Sequence, residues 1–136
     1  MVSEWIFILK LMLAALLGGI VGFEREKTRR PAGLRTHMVV CVAACLITLV
    51  SIYTSGSSDP LRMAANIVTG IGFLGAGTII ASGGHVIGLT TAATIFAVAG
   101  IGIAIAADFY ISAIFTTILI FGILELRKVE HFSHYR

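Results

Sequence analysis

Few side chains in this chain can do chemistry, and most stand at the edges of apolar runs. Glu24 and Arg25 close the first run, and Arg35 lies just before the second. Asp59, Arg62 and Asn66 surround the start of the third, and Thr91 and Asp108 bracket the fourth. Ionisable and amide groups at membrane depth are costly, so by default they mark a pathway, a partner or a ligand. Arg62 and Asn66 are four apart and share a helical face that Thr69 and Gly70 continue. That face is a candidate polar path from the outer side. Asp59 and Asp108, with Glu4, are the acidic residues expected at the outer surface. Magnesium takes oxygen ligands and keeps several waters, so two aspartates could attract the hydrated ion without caging it. The rival expectation is that these groups are interface anchors and helix caps.

Other constellations carry less. Gly70-Ile71-Gly72-Phe73-Leu74-Gly75 fits a dinucleotide fingerprint, but that motif needs a preceding strand and a βαβ unit. Small residues let membrane helices approach closely, and this accounts better for Gly70, Gly72, Gly75 and Gly77, and for the Gly18/Gly22 pair. Such faces join helices of one chain or of two, which makes a homodimer an expectation. His37, Cys41 and Cys45 recur every fourth residue. The outer two would lie about 12 Å apart along a helix, too far to share a zinc ion with bonds of about 2 Å. Ordinary packing is expected there, and a solvated or interfacial place for His131 and His134. No metal site is assigned. No serine–histidine–acid set, P-loop or paired-carboxylate arrangement stands out, so an enzyme is not expected.

The elements that must position these residues follow from composition. The chain has 136 residues, 57% hydrophobic and 12% charged, against roughly a quarter charged in soluble domains; its mean hydropathy is +0.99. A membrane helix uses about 20 apolar residues. The sequence predicts an all-α membrane protein, a compact bundle of about five spans in one domain over 1–136. The spans are expected at 5–23, 37–53, 61–81, 91–107 and 109–126. Pro31 and Gly33 break the first connection, Asp59-Pro60 reads as a helix start, and Ser82 to His85 reads as a turn. The apolar run after Val86 is too long for one crossing and is divided at Asp108. No signal peptide is evident, and two cysteines suggest no disulfide framework.

Arg25, Lys27, Arg29, Arg30 and Arg35 form one basic stretch, and Arg127, Lys128 and Arg136 form another. The positive-inside rule places both in the cytoplasm if the N-terminus is outside and the span number is odd. Lys10 and Arg62 then lie toward the outer side. Nucleic-acid binding is not expected. Gly33-Leu34-Arg35-Thr36 and Gly88-Leu89-Thr90-Thr91 hint at a repeat of two helical hairpins. Two helix N-termini would then face the cytoplasm, where their N–H groups favour an anion or carboxylate.

Several blocks together resemble the MgtC/SapB family across nearly the whole chain. They are Gly22-Phe23-Glu24-Arg25-Glu26, Ala32 to His37, Asp59 to Asn66, Gly70 to Gly77 and Gly88 to Thr94. Asn66 departs from the glutamine expected there. The resemblance implies a multi-pass bacterial inner-membrane protein tied to magnesium limitation, acid stress and survival in hosts. It implies magnesium transport, with regulation of membrane energetics through a partner such as the ATP synthase as the rival idea. It also marks Glu24, Arg25, Arg35, Arg62, Asn66, Gly72, Gly75, Gly77 and Thr91. Many such proteins carry a further soluble C-terminal domain, whose functions are not transferred to this chain. The bilayer and a second copy are the expected partners. No cofactor is expected, and magnesium is the candidate ligand or transported ion.

Overall fold

The computed structural model describes residues 4–54, 59 and 62–126. Residues 55–58, Pro60, Leu61, and the tail with Arg127, Lys128, His131, His134 and Arg136 lie outside the described residues. Within them run five helices and one short hairpin: α1 (Glu4–Lys27), α2 (Leu34–Thr54), α3 (Arg62–Ala76), β1 (Ile80–Ser82), β2 (His85–Ile87), α4 (Leu89–Ala106) and α5 (Tyr110–Glu125). Three of the helices, α1, α2 and α4, are long and apolar enough to cross a membrane. The other two, of 15 and 16 residues, are shorter.

The helices begin and end for identifiable reasons. Glu4 in the first turn of α1 and Arg25 and Lys27 in the last match the helix dipole. Arg29 sits at φ 53° just past α1. Its N–H reaches Glu26 O at 2.9 Å, and Arg30 N–H reaches back to Arg25 O at 3.0 Å. Two such bonds around a left-handed residue make a Schellman closure. Asp108 repeats it at the end of α4: φ is 66°, Asp108 N–H bonds Ile105 O, and Phe109 N–H bonds Ala104 O. An aspartate tolerates the left-handed region better than most residues, so the turn needs neither glycine nor proline. Within α2 and α5, the Thr48 and Thr117 hydroxyls donate to the carbonyls of Ala44 and Ala113 four residues back, which satisfies them without water.

The third expected span, 61–81, is corrected. The helix stops at Ala76, and Ile80–Ser82 pairs antiparallel with His85–Ile87 in place of a longer span and a bare turn. Gly83 and Gly84 both take positive φ, the backbone that a two-residue hairpin demands.

The core forms where α1, α2 and α4 meet, with α5 against α1 and α4 and with α3 leaning on α4 and α2. Ala14, Leu17 and Val21 of α1 face Cys41, Ala44, Cys45 and Leu49 of α2 and Ile95, Val98, Ile101 and Ile105 of α4. Close approach depends on small residues. A Cβ on Gly18 would stand 2.7 Å from Cys41 Cβ, and one on Gly22 would stand 2.8 Å from Leu34 Cα. Gly102 of α4 is tighter still, against the backbone oxygen of Cys41. A Cβ on Gly70 or Gly72 of α3 would meet nothing within 4 Å among the described residues, so neither glycine is needed for close approach to another helix of the chain. Gly75 meets Ala92 at 3.5 Å, and Gly77 meets only its own preceding turn.

Candidate functional site

The polar groups of the bundle gather at its two ends. At the basic end, Arg25 comes from the last turn of α1 and is 4% exposed. One of its guanidinium nitrogens donates to Thr91 Oγ1, in the first turn of α4, at 2.9 Å. Glu24 beside it is also buried; one carboxylate oxygen lies 3.7 Å from Arg25 Nη1 and accepts no hydrogen bond among the described residues. One turn along α4, Thr94 Oγ1 lies 2.9 Å from Nε2 of His37. His37 is fully buried in the first turns of α2, and its Nδ1 lies 2.8 Å from Gly33 O.

Because a carbonyl can only accept, Nδ1 carries the proton and donates it to Gly33 O. A neutral ring then accepts at Nε2 from the Thr94 hydroxyl. That hydroxyl also lies 2.8 Å from Thr91 O, and its single proton serves one acceptor at a time. Three helices are therefore tied at one end by a chain of buried polar contacts running Arg25, Thr91, Thr94, His37. Networks of this kind are rigid when satisfied and costly when broken.

The two helix N-termini at this end are finished differently. Leu34 N–H, which opens α2, donates to Glu26 Oε2 at 2.8 Å, a carboxylate at a helix N-terminus. The start of α4 follows Gly88, at φ 95°, with no side-chain cap. A Cβ on Gly88 would collide with the Thr78 backbone, so glycine is required there on both counts. Beside this end lies a cavity of about 300 Å³ lined by Arg25, Arg30, Pro31, Val86 and Ile87 and by the Gly88–Thr91 turn.

At the opposite end, Lys10 is 3% exposed and donates to Ala106 O at 3.0 Å and to Asp108 Oδ1 at 2.9 Å. It thus binds one of the last carbonyls of α4, where the dipole favours a cation. Tyr110 donates its hydroxyl to Asp108 Oδ1 at 2.6 Å. That bond, and then the one from Lys10, hold the Asp108 carboxyl below the ordinary aspartate range. Asp108 Oδ1 thus ties α1 to the end of α4, while the side chain stays 66% exposed.

The remaining candidates scatter. Arg35, Asp59, Arg62, Asn66, Thr69 and Gly70 are exposed. The expected path along Arg62, Asn66, Thr69 and Gly70 therefore does not run inside the bundle. It lies on the outside of α3, where Asn66 and Gly70 edge an apolar groove shared with Val40, Ala44 and Ile67. No group of three or more histidine, cysteine or acidic residues able to hold a metal occurs among the described residues. Sequence reasoning passed over His37 and Thr94 as polar partners, Lys10 as the mate of Asp108, and Gly102. The small residues Ala99, Gly102 and Ala106 would have marked the buried face of α4.

Long apolar helices closed at each end by buried charges define a small helical membrane protein. The chain belongs to the MgtC family, which it matches over residues 11–132. It is 44% identical to an uncharacterized protein of Haemophilus influenzae, with 92% of this chain and 57% of that one covered. It is 46% identical to Protein MgtC of Brucella abortus, covering 85% and 48%. It is 38% identical to the "Putative magnesium transporter YhiD" of Escherichia coli, covering 88% and 60%. The chain thus spans about half the length of the curated relatives it matches. No solved structure matches.

Proposed function

We propose that this chain is a multi-pass, non-enzymatic protein of the bacterial inner membrane. Its N-terminus lies outside, its basic end lies in the cytoplasm, and it serves magnesium homeostasis by regulating a membrane partner rather than by conducting the ion. Family membership and the magnesium-related name of the Escherichia coli relative support the link to magnesium. One observation carries the regulatory reading. Lys10 and Arg25, about 22 Å apart along α1, put a buried cation at each end of the core. Between them lie Ala14, Leu17, Val21, Cys41, Ala44, Cys45, Ile95, Val98, Ile101 and Ile105. Magnesium sheds water reluctantly and asks for oxygen ligands, and this interior offers it mainly apolar side chains, with the Thr48 and Thr117 hydroxyls turned to carbonyls of their own helices. The MgtC/SapB resemblance points to the ATP synthase as one such partner.

A second reading keeps transport, at an interface between two copies. Arg62 and Asn66 are exposed on α3, and Gly70 and Gly72 leave room for another helix. A homodimer through this face would shield those polar groups from lipid. The test is magnesium uptake into liposomes containing the purified chain and a magnesium-sensitive dye. Uptake no greater than in empty liposomes, from folded protein, is expected. Saturable uptake that Asn66→Ala abolishes would overturn regulation without transport and establish the path between copies.

A further inference from the structure

The cavity at the start of α4 gathers positive side chains at the positive end of a helix. Arg25 and Arg30 both line it, beside the N-terminal turn of an 18-residue helix. That end of a helix carries partial positive charge and unpaired N–H groups, so two guanidiniums there have the unfavourable sign. At the other end of α4, Lys10 meets the carbonyl end, where a cation belongs. Glu24 offsets part of the Arg25 charge. Glu26 is engaged at the start of α2, and no acidic residue occurs between Asp59 and Asp108 in the sequence. The Nε of Arg30 is shut off from solvent and donates to no acceptor among the described residues. The other wall is apolar: Val86 and Ile87 of the hairpin, then Leu89, whose side chains are more than half exposed.

From this we infer that the cavity binds a phosphate group, and that its source is the headgroup of an anionic phospholipid. Arg25 and Arg30 would flank the phosphate and the first N–H groups of α4 would donate to it, the arrangement that favours phosphate at helix starts. Val86, Ile87 and Leu89 would lie along the acyl chains. A basic recess between membrane helices, at the face enriched in Lys and Arg, is where anionic headgroups are recognised. The β1–β2 hairpin thereby gains a role, as the apolar wall of a lipid site. This inference stands whether or not the protein moves an ion.

The test is native mass spectrometry of the purified full chain in mild detergent, titrated with phosphatidylglycerol or phosphatidylcholine, with inorganic phosphate as competitor. Phosphatidylglycerol should be retained in preference to phosphatidylcholine. Arg30→Gln should weaken it roughly tenfold, the loss of one charge-assisted bond. Arg30 is only partly buried, so this variant is expected to fold. Arg29→Gln, an exposed neighbour outside the cavity lining, should leave binding unchanged. Displacement by millimolar phosphate would keep the phosphate site and move its source to the soluble ion. Equal retention of the two lipids with no response to phosphate, or equal losses in the two variants, would overturn it.

Discussion

Glycine-rich helices α1 and α3 look alike as sequences and differ as structures. Gly18 and Gly22 of α1 lie against α2 so closely that a methyl group would strike Cys41 or Leu34. Gly70 and Gly72 of α3 face open space, and Phe73 beside them is 83% exposed. The first pair lets the bundle close. The second leaves a helix ready for lipid or for another protein. Small residues in a membrane helix thus signal close approach without saying to what, and only a neighbour's position separates folding from association. The two ends of α4 make the same point with charge. Lys10 at the carbonyl end is complementary, and Arg25 and Arg30 at the amide end are not.

The largest effect expected is in the packed half. Gly102→Ala would push a methyl group into the backbone of α2, which cannot swing aside. Overpacking of this kind costs about 1–3 kcal/mol or more, and thermal unfolding in detergent should show it as a marked loss. Gly100→Ala, two residues away on the open side of the same helix, should change little; equal losses would break the contrast between closed and open faces.

Next comes the Arg25–Thr91 tie. Thr91→Val keeps the volume and removes the acceptor of a buried guanidinium, so it should destabilise by about 1–3 kcal/mol. Thr91→Ser should recover most of that loss in the same unfolding measurement.

Smaller still is the Lys10–Asp108 pair, whose aspartate is 66% exposed and hence well screened. Asp108→Asn should cost about 1 kcal/mol or less. Its pH signature is distinctive. The folded carboxyl titrates below its unfolded value of about 3.9. Its contribution is therefore complete above that pH and disappears as pH falls through the lower folded value. Unfolding midpoints of wild type and Asp108→Asn should differ at pH 7 and converge toward pH 3.

The smallest effect on folding belongs to the open half. Gly70→Ala and Gly72→Ala should shift stability by no more than about 0.5 kcal/mol. A change in sedimentation-derived oligomeric state at constant midpoint would sharpen the comparison, assigning this face to contact between copies. A large drop in midpoint would show that α3 packs more closely than its open glycines imply.

The sequence by itself determined the medium and the family. A mean hydropathy of +0.99 and 12% charge leave a chain no solvent but lipid for its apolar runs, and the blocks from Gly22 to Thr94 carry the MgtC resemblance. The break at Asp108 was also legible, because a lone charge in an apolar run is a local signal. The hairpin after Ala76 was not, since short apolar stretches such as Ile79 to Ala81 suit helix and strand alike. Only tertiary structure could decide partners. Lys10 and Asp108 are 98 positions apart, and Arg25 and Thr91 are 66. Helical periodicity says which residues share a face but not which helix that face meets. The aspartate that sequence offered to magnesium also meets a lysine from the first helix, a pairing that no local pattern could announce.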